Sequence, residues 1–418
     1  MHANRDAVFV AYNFPPHGGG GVQRSLKFVK YLPEFGWRPT VLTSSVDSGG
    51  VQDPNLLREI PPGIELHRVP APSIRRLQTR CEAWKLGKPV SLLNLILQVP
   101  DADLLWALKA RRTLDTIIRE KRPELIYTTS GPYSSHLLGL WATSRYPIPW
   151  FADFRDPWSK NLVVPYLPGY RAINCMLERR VLARATRVAC VSQPWLDDLQ
   201  GTLGREAGKF ILLPNGYDET DIEPLPSRRD SEKFTLTHLG SFYRNRRPFQ
   251  LIEAVENLLS RKRIPTSQLR IVFVGKNARK YVPSRLPYEA CDYVPHRELD
   301  RFRQATNVFL LILDTSEKNR GNYSGKVYEL LAVNRPILAI VPKKGVAHQL
   351  IEETRTGVAI TGDKTEIADA IERLYLQWKN GNGTWNPNWR VIHQYQRRKI
   401  TAKLAEQFNQ LAASGGSA

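Results

Sequence analysis

The chain has 418 residues, too long for one ordinary core, so two domains of roughly 200 residues each are expected, and it carries a formal charge of +20. No repeat at solenoid spacing occurs, and Cys81, Cys175, Cys190 and Cys291 are too scattered for a metal pair or a disulfide framework, which excludes repeat, zinc-finger and disulfide-scaffold classes and fits a reducing cytoplasm. The positive charge implies acidic partners (nucleic acid, anionic lipid head groups or phosphorylated ligands), the alternative being a solubilising surface. The N-terminal apolar run is too short for a signal peptide, and no uninterrupted window of about 18 apolar residues predicts a membrane-spanning helix.

In chain order, "VFVA" at 8–11 predicts a buried strand, and helical spacing of apolar residues predicts a helix over 23–35, stopped by Gly36. Between them stand four consecutive glycines, Gly18 to Gly21. They do not make the dinucleotide fingerprint, because Gln23 and Arg24 occupy the places of its third glycine and the next strand ends in Thr43-Ser44-Ser45 without an acid for a ribose. No phosphate loop of the G-x-x-x-x-G-K-[ST] type occurs either. What remains is a glycine turn whose free N–H groups, with the following helix N-terminus, suit an anion. "WRPTVLTSS" and residues 64–69 predict two more strands, and the alternation of strands with helices indicates a parallel sheet.

Residues 71–112 are basic, with Arg75, Arg76, Arg80, Lys85, Lys88, Lys109, Arg111 and Arg112 interleaved with apolar residues from Leu92 to Trp106. Such a segment suits an anionic membrane surface; a core helix with a solvated basic face is the alternative. Asp101 and Asp103 match Asp-x-Asp metal spacing but fall in this helical region and read as structural. "ELIYTTS", "IPWFADFRDPWS" and "RVACVS" predict further strands. Ligands of open parallel sheets bind beyond the carboxyl ends of strands, which makes Ser130, Asp153 and Asp156 candidates, with His17 and His136 on neighbouring loops. For Asp156 the plain alternative is an ion pair with Arg155.

"FILLPNGYDETDI" ends the first set of units in a turn, and a polar linker over 223–233 leads to a second set beginning at "FTLTHLGSFY". Strands recur at "LRIVFVG", "NVFLLIL", "RPILAIV" and "GVAIT", and a long polar helix over about 392–412 closes the chain. The fold class is therefore α/β, two doubly wound Rossmann-like domains facing a cleft, divided as 1–205, 206–388 and a final helix with its tail at 389–418. In the second half, Arg244, Arg246 and Arg247 lie in a strand-to-helix turn and suit a diphosphate. Lys326 and Glu329, three residues apart, share one helix face, where the carboxylate can accept from a ribose diol or form an ordinary helical ion pair.

Taken together these pieces resemble the GT-B glycosyltransferases, specifically the retaining enzymes of family 4, over most of the chain. The residues that carry the resemblance are "FPPHGGGGVQR", "LLPNGYDETDI", "HLGSFYRNRRPFQLIEAVENLL", "DYVPHRELDRFRQATNVFLLI" and "KVYELLAVNRPILAI". Departures are Gly321 at the first of the family's two spaced glutamates, Ser241 where an arginine often follows the glycine, and Asn334 in place of a glycine. The resemblance implies an acceptor-side N-terminal domain, a C-terminal domain that binds a nucleotide diphosphate sugar, and a last helix that crosses back. It implies a donor site formed by Gly19, Gly20, Gly21, Arg244, Arg247, Val294 and Glu329. Arg246 and Lys326 would meet the charge growing on the leaving diphosphate without a metal or other cofactor, while Asp156 or Asp153 would orient the acceptor or steady the cationic sugar. His17, Ser130 and His136 would lie on the acceptor side. The expected function is sugar transfer to a saccharide or lipid-linked acceptor in cell-surface polysaccharide or glycolipid synthesis, at the inner face of the cytoplasmic membrane. A nucleotide-sugar 2-epimerase of the same fold is the alternative. A non-catalytic nucleic-acid binder stands last, because no nucleic-acid-binding signature appears.

Overall fold

The computed structural model describes residues 5–45, 52–71, 99–160, 168–204, 207–222, 224–225, 232–242, 245–292, 294, 298–381 and 385–415. Most of the basic segment, 72–98, and Arg244 lie outside them. The chain forms two compact units, one of Met1–Asn215 with Arg397–Ala418 and one of Gly216–Gln396.

The first unit is built on a seven-stranded parallel sheet of β1 (Arg5–Val10), β2 (Trp37–Ser44), β3 (Glu65–Val69), β4 (Leu125–Thr129), β5 (Trp150–Phe154), β6 (Arg187–Cys190) and β7 (Phe210–Leu212), in the order β3-β2-β1-β4-β5-β6-β7. The strands alternate with α1 (Gly20–Tyr31), α2 (Leu104–Lys121), α3 (Ser134–Arg145), α4 (Pro168–Arg184) and α5 (Gln193–Leu203). Side chains alternate across the sheet as the strand period of two dictates: Val8 and Val10 enter a core with Trp106 and Leu114, while Ala7 and Phe9 enter the opposite core with Leu26 and Phe408. Strand order reverses between β1 and β4, which opens a crevice beyond their carboxyl ends. Because β7 pairs with β6 at the sheet edge, residues up to Asn215 belong to this unit rather than to the second.

The final helix, α11 once the second unit's helices are counted, spans Arg397–Gly415. It starts later than the apolar spacing suggests because Gln396 is extended and breaks it from a short turn at Trp389–Ile392. It packs on the first unit, with the Phe408 ring edge-on to Trp37 at 5.3 Å and to Phe151 at 5.5 Å.

The second unit holds a six-stranded parallel sheet of β8 (Phe234–Leu239), β9 (Leu269–Val274), β10 (Tyr288–Cys291), β11 (Val308–Ile312), β12 (Ile337–Ile340) and β13 (Gly357–Ile360), ordered β10-β9-β8-β11-β12-β13. Its helices are α6 (Phe249–Ser260), α7 (Leu299–Ala305), α8 (Gly325–Ala332), α9 (Val346–Thr354) and α10 (Lys364–Asn380). Here the order reverses between β8 and β11. Two doubly wound sheets with helices on both faces are the architecture that the sequence pattern called for.

Candidate active site

In the first unit, β1 ends at a loop that turns through Gly19, at φ 102°, and α1 begins at Gly20. The space over Gly21 is not open. A Cβ added there would overlap Arg155 Nη1, and one added at Gly131 after β4 would overlap Arg155 Nη2. The guanidinium of Arg155 therefore lies in the crevice of the strand reversal, against two residues that have no side chain. Ser130 Oγ accepts the Arg155 backbone N–H at 2.9 Å, and Asn13 Nδ2 donates to Gly131 O at 3.0 Å, tying the β1 and β4 loops together. Arg155 Nε lies 3.3 Å from Asp156 Oδ2, with the Asp156 side chain about half exposed. The structure thus brings Gly21, Ser130, Arg155 and Asp156 into one place. Arg155 is the residue that sequence reasoning treated only as a partner of Asp156; the glycine in "SGPY" was the available signal.

Asp153 lies elsewhere in function. Its carboxylate is fully buried and accepts Arg24 Nε at 2.7 Å, Arg24 Nη2 at 2.9 Å and Tyr127 Oη at 2.5 Å. Arg24 in turn donates to Leu213 O and Pro214 O, both at 3.0 Å. Despite burial, which acts in the opposite direction, Arg24 holds the Asp153 carboxyl below the usual carboxylate range. This buried network joins α1, β4, β5 and the end of β7. No face of the carboxylate is left for an acceptor.

The two histidines are also internal. His136 is fully buried, its ring stacked on Phe154 at 4.4 Å and its Nδ1 2.7 Å from Thr128 Oγ1, which also accepts Trp150 Nε1. Burial pushes its pKa down to about 3, so it is neutral at physiological pH. His17, only 3% exposed, has Nε2 3.3 Å from Ser45 O and Nδ1 3.3 Å from Gln52, and burial lowers its pKa. Asp101 binds the start of α3, accepting Ser134 N at 2.9 Å and Ser134 Oγ at 2.5 Å; burial pushes it up to about 6.

In the second unit the corresponding reversal lies at the ends of β8 and β11. His238 on β8 donates Nδ1–H to Leu310 O on β11 at 3.0 Å and stacks on Phe242 at 4.8 Å. That bond fixes the neutral tautomer with a bare Nε2, which has no hydrogen-bond partner among the described residues and lies under Gly240. Burial pushes the His238 pKa down to about 4, with Lys326 and Arg246 adding to the fall. Both cations therefore stand near this imidazole.

Lys326 is on the first turn of α8, and burial lowers its pKa while Glu329 acts to raise it. Glu329 Oε2 accepts Arg303 Nη2 at 3.2 Å. Arg247 is exposed and lies over the Tyr281 ring at 5.3 Å. It lines a cavity of about 490 Å³ with Gln250, Asp314 and Ser316, and neither Lys326 nor Glu329 lines that cavity. Val294 is buried in the core cluster that also holds Leu299, Val327 and Tyr328. The structure places Arg246 and Lys326 near the same imidazole, with Glu329 on the helix of Lys326, while Arg247 lines the separate cavity and Val294 lies in the core under that helix. His238 was missed because a histidine two residues before a strand-end glycine gives no spacing signal.

Residues 19–216 match the model of a glycosyl transferase 4-like domain, and residues 233–377 match that of the glycosyl transferases group 1. No curated protein sequence matches the chain at a significant level. Among solved structures it is similar to a sucrose-phosphate synthase from Thermosynechococcus elongatus, with a TM-score of 0.66 and 15% identity over 98% of this chain and 100% of the other. It is similar to Anabaena HepE in complex with UDP and glucose, with a TM-score of 0.64 and 14% identity over 97% and 100%. WaaG, a glycosyltransferase involved in lipopolysaccharide biosynthesis, aligns with a TM-score of 0.59 and 15% identity over 96% and 99%. With both halves matched in order and two Rossmann-like units in place, the chain belongs to the GT-B glycosyltransferases, in the family 4-like group.

Proposed function

We propose that the protein is a retaining, metal-independent transferase that moves a sugar from a nucleotide diphosphate sugar to a hydroxyl of a saccharide or lipid-linked acceptor. The observation that carries this reading is the grouping of Lys326, Arg246 and the neutral His238 at the strand reversal of the second unit. As the bond from the sugar carbon to phosphate breaks, negative charge grows on the diphosphate, and fixed cations in a partly buried setting stabilise that charge most. The acceptor oxygen bonds to the same carbon, and its proton passes to the leaving phosphate. The half-exposed Asp156, beside Arg155, is the carboxylate that would orient the acceptor. Glu329 would accept the ribose hydroxyls, and HepE, whose structure holds UDP and glucose, supports a nucleotide sugar as donor.

The acceptor is proposed to lie at an anionic membrane, in cell-surface polysaccharide or glycolipid synthesis at its cytoplasmic face. No helix among the described residues is long and apolar enough to cross a membrane. Two helices expose basic and apolar side chains together: Leu108, Lys109, Arg111 and Arg112 on α2, and Arg171, Ile173, Met176, Arg179 and Arg180 on α4. Such faces suit anionic head groups. Sedimentation with anionic vesicles at low salt, and its absence with neutral vesicles, tests that part.

The donor site is tested by thermal stabilisation with UDP, GDP, ADP, TDP and their sugars, in the wild type, Glu329→Ala and Arg246→Ala. Selective stabilisation by one nucleotide, lost in both variants, is expected. Conversion of the donor sugar without any acceptor would favour the epimerase instead, and a salt-dependent shift of nucleic acid without nucleotide-sugar binding would favour the third reading.

A further inference from the structure

We propose that Arg303 is a positioning residue for Glu329, and that the ribose diol of the donor is read by a carboxylate already held in place by this arginine. The proposal rests on the nucleotide-sugar reading above. Arg303 stands on α7 with its side chain only 6% exposed, whereas Glu329 on α8 is 29% exposed. The guanidinium bridges two acids: Nη1 donates to Asp300 Oδ1 at 2.7 Å and Nη2 to Glu329 Oε2 at 3.2 Å. Asp300 is mostly exposed, so the three groups run from solvent through a buried cation to a partly open carboxylate. The guanidinium is planar and rigid and is held from its other side by Asp300, so its single bond to Oε2 pins one oxygen of Glu329 and limits the directions its carboxylate can take.

That matters for a diol. Two adjacent hydroxyls need acceptors at a set separation and direction, and a glutamate left to turn must lose that freedom on binding. A carboxylate anchored at one oxygen by a buried guanidinium has already lost part of it. Arg303 also sets a positive charge against Glu329 at the start of α8, where Lys326 feels both groups. No substrate contact is assigned to Arg303 itself.

The test is equilibrium binding of UDP, GDP and ADP, each beside its 2′-deoxy counterpart, to the wild type, Glu329→Gln, Arg303→Lys and Arg303→Met. The wild type is expected to prefer the ribonucleotide it binds best by roughly 10-fold or more, as befits hydrogen bonds to a charged group. Glu329→Gln should narrow that ratio, Arg303→Met should narrow it to a similar degree, and Arg303→Lys, which keeps the charge with a single donor, should restore part of it. A residue that only supports the fold would weaken both nucleotides equally and leave the ratio unchanged, and that outcome in Arg303→Met overturns the proposal. Should Arg303→Met fail to fold, Asp300→Asn loosens the same guanidinium from its exposed side; a ratio unchanged there overturns the proposal as well. A wild type that binds nucleotide but shows no preference for the ribose form overturns the ribose role of Glu329, and one that binds none overturns the donor site.

Discussion

Arg24 and Asp153 provide the sharpest test of how the first unit is held. Their side chains are 1% and 0% exposed, and the guanidinium meets both carboxylate oxygens, at 2.7 and 2.9 Å, as well as the Leu213 and Pro214 carbonyls. Arg24→Met keeps most of the volume and removes the charge. It leaves Asp153 hydrogen-bonded by Tyr127 and Thr129 but with no cation bonded to it, and breaking a buried pair in this way costs about 3–5 kcal/mol. At about 2–4 °C per kcal/mol for a unit of this size, the melting temperature of that unit should fall by about 6–20 °C. Asp153→Asn strands the arginine instead and should cost a similar amount.

The double variant separates a pair from two independent sites. With both charges gone, it should be less destabilised than the sum of the singles by about 2 kcal/mol or more. Acidification adds a sign. In the wild type the pair lowers the Asp153 pKa, so its stabilisation is present above the unfolded value near 4 and is lost as pH falls through the lower folded value. In Arg24→Met the carboxyl has lost the partner that lowered its pKa, so the deficit against wild type should shrink as pH falls. Urea unfolding followed by tryptophan fluorescence and circular dichroism measures all of this. Asp153→Asn within about 1 kcal/mol of the wild type, with additive singles, would refute the structural reading. If that variant were also inactive, Asp153 would return to the reacting groups.

Gly21→Ala and Gly131→Ala both intrude on Arg155, but only the flexible end of its side chain has to move, so Gly21→Ala should unfold within about 1 kcal/mol of the wild type while Gly131→Ala, at φ 80°, should lose about 1–2 kcal/mol more. Equal losses in urea would mean that the seat of Arg155 is rigid. His136 and His238 have folded pKa values near 3 and 4, below the unfolded 6.5, so the stability they lend is complete above pH 6.5 and lost on acidification; His238→Asn should remove roughly 3 kcal/mol of that acid dependence, measurable as a flatter stability–pH curve between pH 6.5 and 4. Asp101 behaves in reverse, since its folded value near 6 exceeds the unfolded one: stability should decline by up to about 3 kcal/mol as pH rises from 4 to 6, and Asp101→Asn should abolish that decline in the same measurement.

The architecture was legible because its signals are local. Short apolar runs such as "VFVA" and "NVFLLIL" can be buried only between two layers of helices, and the parallel sheets follow. The boundary at 205 was read from a strand followed by a turn, but which sheet that strand joins depends on the pairing of Cys190 with Leu212, a contact between distant residues that no spacing reveals. Site residues divide the same way. Lys326 and Glu329 were legible as neighbours on one helix face, while the arginine that holds Glu329 comes from another helix. Asp153 looked like a strand-end acid facing ligand because the sequence does not say that Arg24, on the first helix, points back to it.

The glycine turn shows most clearly where sequence and structure part. Four glycines after a strand suggested bare N–H groups for an anion. In the folded unit one of them, Gly21, is short of a side chain because Arg155 occupies that space, and Gly131 on the facing loop is small for the same reason. The second unit repeats the arrangement with different chemistry: a Cβ at Gly240 would come within 2.9 Å of His238 Nε2. In both units a glycine at a strand reversal admits a nitrogen-bearing side chain from a sheet strand or the loop at its end. The positive or hydrogen-bonding surface offered to a ligand is then set by an arginine in one unit and by a neutral imidazole near Lys326 and Arg246 in the other. On the proposed reading, anion recognition in each unit would rest on side chains whose placement these glycines permit, and substitutions at Arg155 or His238 should weaken it directly, whereas a substitution at Gly19, whose Cβ would meet nothing within 4 Å, acts only through the backbone strain of its φ of 102°.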